Sequence, residues 1–149
     1  MSVGQGKLIW GDCYGGQNFT GCTKRAIRAT HTRLEDKVTH ELWKQGIRFR
    51  KNTSDLLGKP DIAIKKYKVV IFIDSCFWHS CELHGHIPKS NVDYWTNKLS
   101  KNKQRDIAVT SYYNDHHWNI LRIWEHEIKS DFSGTIARII DFINYSKQR

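Results

Sequence analysis

Five apolar residues in succession, Val69-Val70-Ile71-Phe72-Ile73, run directly into Asp74-Ser75-Cys76-Phe77-Trp78-His79-Ser80-Cys81. An unbroken apolar run of this length fits a strand covered on both faces, which requires a sheet with helices packed on either side. The residues beyond the run are not core material. Two thiols, a titratable ring, a carboxylate and two large aromatics crowd into one short stretch, with His84 and His86 close behind. Most of these groups need a polar partner or a metal if they are buried, so the stretch reads as a functional loop at the carboxyl end of a central strand.

The flanking sequence supplies the rest of such a fold. Leu34, Val38, Leu42 and Gln45 share one helical stripe, with Thr32 as N-cap, Glu35 at the N3 position and Gly46 as the stop. Ile47 and Phe49 alternate with Arg48 and Arg50 as a half-buried strand would, and Asn52 to Pro60 reads as a loop. Extended segments come next at Asp61 to Lys65 and Lys68 to Ile73, separated by a turn at Lys66-Tyr67. Asn91 caps a long helix that runs to about Ser111. A strand from Trp118 to Trp124 and a last helix from Ser133 to Tyr145 complete the order. This succession predicts a single α/β domain over residues 23–149, a mixed sheet with helices on both faces. The glycine-rich residues 1–22 show no sustained periodicity and are expected to form a flexible arm.

Lys and Arg number 24 against 15 Asp and Glu, a formal charge of +9 over 149 residues, so the natural partner is a polyanion, nucleic acid first. No apolar run approaches the roughly 18 residues of a membrane span, and Met1 to Cys13 lacks the apolar core of a signal peptide. A soluble, intracellular protein is expected. In a reducing compartment, cysteines beside histidines suit thiolate coordination better than a disulfide, whereas Cys13 and Cys22 stand apart and read as incidental.

Cys76-x4-Cys81-x2-His84 offers three ligands in one loop, and His126, just past the strand ending at Trp124, can be brought back by the sheet as a fourth. Two thiolates and two imidazoles form a closed tetrahedral set, the signature of structural rather than catalytic zinc. By spacing alone His79 and His86 compete for the imidazole positions. A second centre is acidic. Glu35, Asp61 and Asp74 come from the first helix, the start of one strand and the end of the next, so all can meet at one sheet edge. Carboxylates at such an edge suit Mg²⁺, and His79 beside them can exchange a proton near neutral pH. On the long helix, Trp95, Leu99, Asn102 and Asp106 share a face, which predicts that this face ends at the site with Asn102 and Asp106 ordering it.

Several motifs together carry a family resemblance. Gly58-Lys59-Pro60-Asp61, the apolar strand into Asp74 to Cys81, Pro88-Lys89 with Asn91, Tyr94-Trp95, Lys98, Asn102, Arg105-Asp106 and Trp124-Glu125-His126 resemble the very short patch repair (Vsr) DNA mismatch endonucleases. The likeness runs from about Lys24 to beyond His126. It implies a restriction-endonuclease-like α/β fold and nicking of one DNA strand 5′ of the thymine in T·G mispairs left by deamination of 5-methylcytosine. It implies Asp61 and the backbone carbonyl of Ile73 as Mg²⁺ ligands, Glu35, Asp61, Asp74 and His79 as the catalytic group, and Cys76, Cys81, His84 and His126 as zinc ligands. Phe77, Trp78 and Trp95 would wedge into the base stack, which costs less at a mispair than in an intact duplex. Lys98 and Arg105 would neutralise phosphates.

The resemblance further implies an N-terminal clamp around Arg25-Ala26-Ile27, where Lys24 stands in place of the family's apolar residue, leaving Lys24 and Arg25 to contact backbone. It implies a monomer in the bacterial cytoplasm, associated with the nucleoid and with mismatch-repair proteins as partners. No lysine stands on the strand beside Asp74, so the proton work falls to His79. The alternatives are a restriction-type or structure-specific nuclease of the same fold, or a non-catalytic zinc-stabilised DNA-binding module.

Overall fold

The computed structural model describes residues 33–148. The arm at 1–22, the Thr32 cap and the contacts assigned to Lys24 and Arg25 lie outside them. Helix α1 (Arg33–Lys44) buries Glu35, Val38, Thr39 and Leu42, the stripe expected from the sequence. It stops at Gly46, whose φ of 79° suits a residue without Cβ, while Ile47 N–H donates to the Leu42 carbonyl at 3.0 Å.

Four strands form one sheet in the order β1 (Arg50–Lys51), β2 (Ile62–Ile64), β3 (Val69–Asp74), β4 (Asn119–Trp124). The first two pairings are antiparallel, and β3 pairs with β4 in parallel, from Val69 opposite Asn119 to Asp74 opposite Trp124. A 3-10 turn at Lys65–Tyr67 joins β2 to β3. Crossing from β3 to β4 in parallel needs a long connection, which α2 (Val92–Asp115) supplies. Two further helices, α3 (Glu125–Ser130) and α4 (Phe132–Lys147), close the described chain.

Alternate residues of β3 enter two separate cores, as the unbroken apolar run predicts. Val69 and Ile71 join Val38 and Leu42 of α1, Ile128 of α3, and Ile136, Ile139 and Ile143 of α4. On the opposite face Val70 and Phe72 meet Val109 and Tyr113 of α2, with Trp118 and Ile120 against them. The sheet is therefore mixed and flanked by helices on both faces.

Four local expectations need revising. The strand expected at Ile47 to Arg50 pairs only through Arg50 and Lys51, because β2 offers just three residues between the buried Pro60 and the 3-10 turn. Helix α2 continues past Ser111 to Asp115. Asn91 does precede α2, but in a left-handed conformation with no side-chain cap, so its backbone carbonyl, accepting from Trp95 N–H at 3.1 Å, makes the first turn. The six-residue α3 was not expected at all.

Candidate active site and metal centre

Parallel pairing brings β3 and β4 to an end at the same edge of the sheet, Asp74 beside Trp124. Everything of chemical interest gathers there. Past β3 the chain turns at once, His79 N–H donating to the Ser75 carbonyl at 3.1 Å and Cys81 N–H to the Cys76 carbonyl at 3.0 Å. Past β4, His126 lies in the first turn of α3, which is anchored where Glu127 Oε2 accepts from Trp124 N–H at 2.8 Å.

Cys76, Cys81, His84 and His126 offer ligand atoms that all lie within 4.8 Å of one another. Cys76 Sγ is 3.2 Å and Cys81 Sγ 3.5 Å from His126 Nδ1, and Cys81 Sγ is 3.9 Å from His84 Nδ1. Tetrahedral bonds of zinc length to sulfur and nitrogen separate the ligands by about 3.3–3.8 Å, so the donor set and its spacing suit a four-coordinate metal. Burial pushes the Cys76 thiol up, and a cation is what would reverse that by favouring the thiolate. The rival histidines are engaged elsewhere: His86 packs its ring 5.5 Å from Phe77, and His79 turns to the acidic group.

That group joins four elements. Glu35 on α1 and Asp74 at the end of β3 are buried at 7 % and 2 % exposure. Asp61, just before β2, accepts the Ile73 backbone N–H on Oδ2 at 2.7 Å, which ties it to the residue whose carbonyl is the other proposed ligand. Burial drives Asp61 up to about 7, with Glu35 and Asp74 adding to the rise, while the Ile73 N–H and His79 oppose it. The charges of Glu35, Asp74 and His79 thus all act on one carboxyl. Asp74 is likewise raised, chiefly by burial, against the pull of His79 and Arg122. Its Oδ2 lies 3.2 Å from Arg122 Nη1 yet takes no hydrogen bond of good geometry. A buried carboxylate oxygen without a donor, beside a desolvated second carboxyl, is an arrangement that a hard divalent cation would relieve.

His79 is fixed from α2. Its Nδ1 is 2.5 Å from Asp106 Oδ2 and 3.7 Å from Asp74 Oδ1. One turn earlier on the same face, Asn102 Nδ2 donates to the Trp78 carbonyl at 3.1 Å. The face of Trp95, Leu99, Asn102 and Asp106 does end at the site, its apolar part on the aromatics and its polar part on the backbone and ring beyond.

Phe77, Trp78 and Trp95 are half-buried and belong to neither core. They pack as a cluster, edge to face at 4.9 Å for Phe77–Trp78 and 5.4 Å for Phe77–Trp95 and tilted at 5.9 Å for Trp78–Trp95, with the exposed Tyr94 5.4 Å from Trp95. Lys98, expected among the phosphate-neutralising cations, lies over the rings of Trp78, Tyr94 and Trp95 at 5.2–5.3 Å. Arg105 lines a cavity of about 40 Å³ together with His79, Asp106 and Arg122. Arg122 is the site residue that sequence reasoning missed. A lone charge in Ile120-Leu121-Arg122-Ile123-Trp124 was the available signal, because such a residue must find a partner on one face of the sheet.

The family model described as DNA mismatch endonuclease Vsr matches residues 17–84. The type II nicking enzyme V.NmeAIP of Neisseria meningitidis is 44% identical over 106 residues, 70% of this chain and 75% of that protein. The type II nicking enzyme V.NaeI of Lentzea aerocolonigenes is 38% identical over 126 residues, 81% of this chain and 74% of that one. The DNA mismatch endonuclease Vsr of Escherichia coli is 34% identical over 106 residues, 68% of this chain and 65% of that one. An acid–histidine site at the edge of a mixed sheet, a Cys/His cluster bracing the same loop, and relatives of this similarity lead to one conclusion: the chain belongs to the Vsr family of DNA endonucleases.

Proposed function

We propose that this enzyme nicks one strand of duplex DNA 5′ of the thymine in T·G mispairs produced by deamination of 5-methylcytosine. The observation that supports the reading is the electrostatic influence of Glu35, Asp74 and His79 on the buried Asp61, with His79 next in sequence to Trp78 of the Phe77–Trp78–Trp95 cluster. Acid and histidine together suit hydrolysis of a phosphodiester, and half-buried rings on the same loop and the facing helix suit a substrate whose base stack yields easily. The mixed sheet with its site at the carboxyl ends of β3 and β4 is in keeping with a restriction-endonuclease-like fold.

Asp61 and the Ile73 carbonyl would hold Mg²⁺, which when bound supplies Lewis acidity at the phosphate and stabilises the leaving 3′ oxygen. His79 accepts the proton of the attacking water, and the buried carboxylates of Glu35 and Asp74 orient that water. Cys76, Cys81, His84 and His126 would hold Zn²⁺ as a closed set that braces the loop. Phe77, Trp78 and Trp95 wedge at the lesion, Arg105 and the rest of the basic surface track the backbone, and Lys24 and Arg25 reach it from the N-terminal segment. The enzyme works as a monomer in the bacterial cytoplasm, on nucleoid DNA and alongside mismatch-repair proteins. No helix among the described residues is long and apolar enough to cross a membrane.

Strand-resolved cleavage of matched and T·G duplexes tests this directly. The expected result is a single nick on the thymine strand of the mispaired duplex, and a loss of roughly 10²-fold or more in Asp61→Asn at unchanged DNA affinity. Double-strand cuts in matched DNA would support a restriction-type nuclease instead. An Asp61→Asn protein that binds and nicks like the wild type would remove Asp61 from the chemistry.

A further inference from the structure

We propose that Arg122 is a positioning residue for the nicking reaction, its guanidinium bridging Asp74 and Asp106 so that His79 is held with Nδ1 donating and Nε2 left as the nitrogen that takes a proton. The proposal rests on the reading of His79 as proton acceptor and assigns the device that sets its orientation.

Arg122 stands opposite Phe72 in the parallel β3–β4 ladder, and its guanidinium carbon lies 5.1 Å from the Phe72 ring centre. Residues two apart on a strand share a face, so Phe72 and Asp74 both point towards α2, and an arginine beside Phe72 reaches the gap between Asp74 and that helix. Its two terminal nitrogens then divide. Nη1 lies 3.2 Å from Asp74 Oδ2, and Nη2 lies 3.0 Å from Asp106 Oδ1. The second oxygen of Asp106 is 2.5 Å from His79 Nδ1.

The sequence of contacts dictates the direction of each hydrogen bond. Arginine only donates, so Asp106 Oδ1 accepts from it, and the carboxylate that this ion pair favours has lone pairs alone on Oδ2 to offer the imidazole. Nδ1 must therefore carry the hydrogen, and Nε2 is the free position. A planar fork can donate to Asp106 from one terminal nitrogen while the other stands beside Asp74 as an ion-pair partner, whereas an ammonium is a single point charge and cannot serve both positions. Without the fork, Asp74 and Asp106 would face the same ring nitrogen at 3.7 Å and 2.5 Å with no cation between them to set either carboxylate. A strut that merely joined β4 to α2 would not need to end on the oxygen pair shared with His79.

Arg122→Met keeps the length of the stem along Phe72 and removes the fork. Single-turnover nicking of a T·G duplex at saturating enzyme is expected to fall about 10²-fold, the usual cost of a catalytic group displaced by an ångström or so. Affinity for the duplex should change little, and because removing one partner of a buried ion pair lowers stability, the rate is read at a temperature where the variant is fully folded. Arg122→Lys should recover less than a tenth of the lost rate, and millimolar methylguanidinium should restore part of it to Arg122→Ala without changing affinity.

In the Arg122→Met background, adding Asp106→Asn should cost little more, since residues acting as one unit are not additive. Wild-type nicking by Arg122→Met would overturn the proposal, as would a loss that only tracks falling stability or adds in full to that of Asp106→Asn. If Arg122→Met does not fold, wild-type nicking by Arg122→Lys overturns it equally. His79→Gln separates the two readings: full activity there sinks the role of His79 itself, whereas an inactive His79→Gln beside a fully active Arg122→Met sinks only the role of Arg122.

Discussion

At the scale of single residues, the site holds two carboxyls, Asp61 and Asp74, that burial makes costly to ionise. Asp61 shows this best. Burial lifts it from 3.8 to about 7, so between those values the folded chain keeps a proton that the unfolded chain has released. Its contribution to stability is complete below the unfolded value near 3.8 and is lost as pH rises through the folded value near 7. Each pH unit across that window costs about 1.4 kcal/mol. Asn cannot ionise, so Asp61→Asn should be more stable than the wild type at about pH 8 and lose that advantage towards about pH 4. Urea denaturation at both pH values in magnesium-free buffer measures the difference. A gap that stays constant with pH would mean that the Asp61 proton is not linked to folding. Catalysis runs the other way, because the same ionisation that weakens the fold prepares a carboxylate to take a cation.

At the scale of elements, the sequence was legible wherever a pattern repeats. The apolar run of β3 announced a strand covered twice, and stripes at helical spacing announced α1 and α2, because burial on a fixed face imposes a period on many residues at once. Short elements held by single contacts left no such trace. Helix α3 has six residues, too few for a stripe, and depends on Glu127 accepting from Trp124 N–H. Arg122 was invisible as a site residue for a related reason: its partners Asp74 and Asp106 sit on other elements, and only the parallel register of β3 with β4 brings them together. By contrast, Cys76, Cys81 and His84 lie so close in sequence that almost any fold would gather them.

The loop that carries Asp61 is likewise set by its neighbours. Tyr113 of α2 donates to the Leu57 carbonyl at 2.7 Å, and Gly58 adopts φ +75° where a Cβ would stand 2.9 Å from Val109 Cγ1. Gly58→Ala should therefore cost about 1–2 kcal/mol in backbone strain, with the collision against α2 in addition. Chemical denaturation reads that loss. Nicking under conditions where the variant is fully folded should also fall, since the strain is relieved by moving the Gly58-Lys59-Pro60-Asp61 turn. Unchanged stability would show that α2 gives way instead of the turn.

Across the whole molecule, the two centres share one piece of chain and one sheet edge. Cys76, Cys81 and His84 lie in the loop that also presents Phe77, Trp78 and His79, while His126 follows β4, so the Cys/His cluster ties the loop to the neighbouring strand. Neither core includes any of these residues; α1, α3 and α4 close on one face of the sheet mainly through aliphatic side chains, and α2 closes on the other through Val109 and Tyr113. Loss of the proposed zinc should therefore spare the sheet and release the loop, and with it the bond from His79 to Asp106. After chelation and dialysis back into magnesium, far-UV circular dichroism should be nearly unchanged, tryptophan emission should shift as the Phe77–Trp78–Trp95 cluster opens, and nicking should fall by about 10²-fold or more. Cys81→Ser should do the same without a chelator, with metal content measured by mass spectrometry. Full nicking by zinc-free protein would mean that the turn hydrogen bonds at His79 and Cys81 hold the loop unaided, and that the cluster serves something other than the reaction.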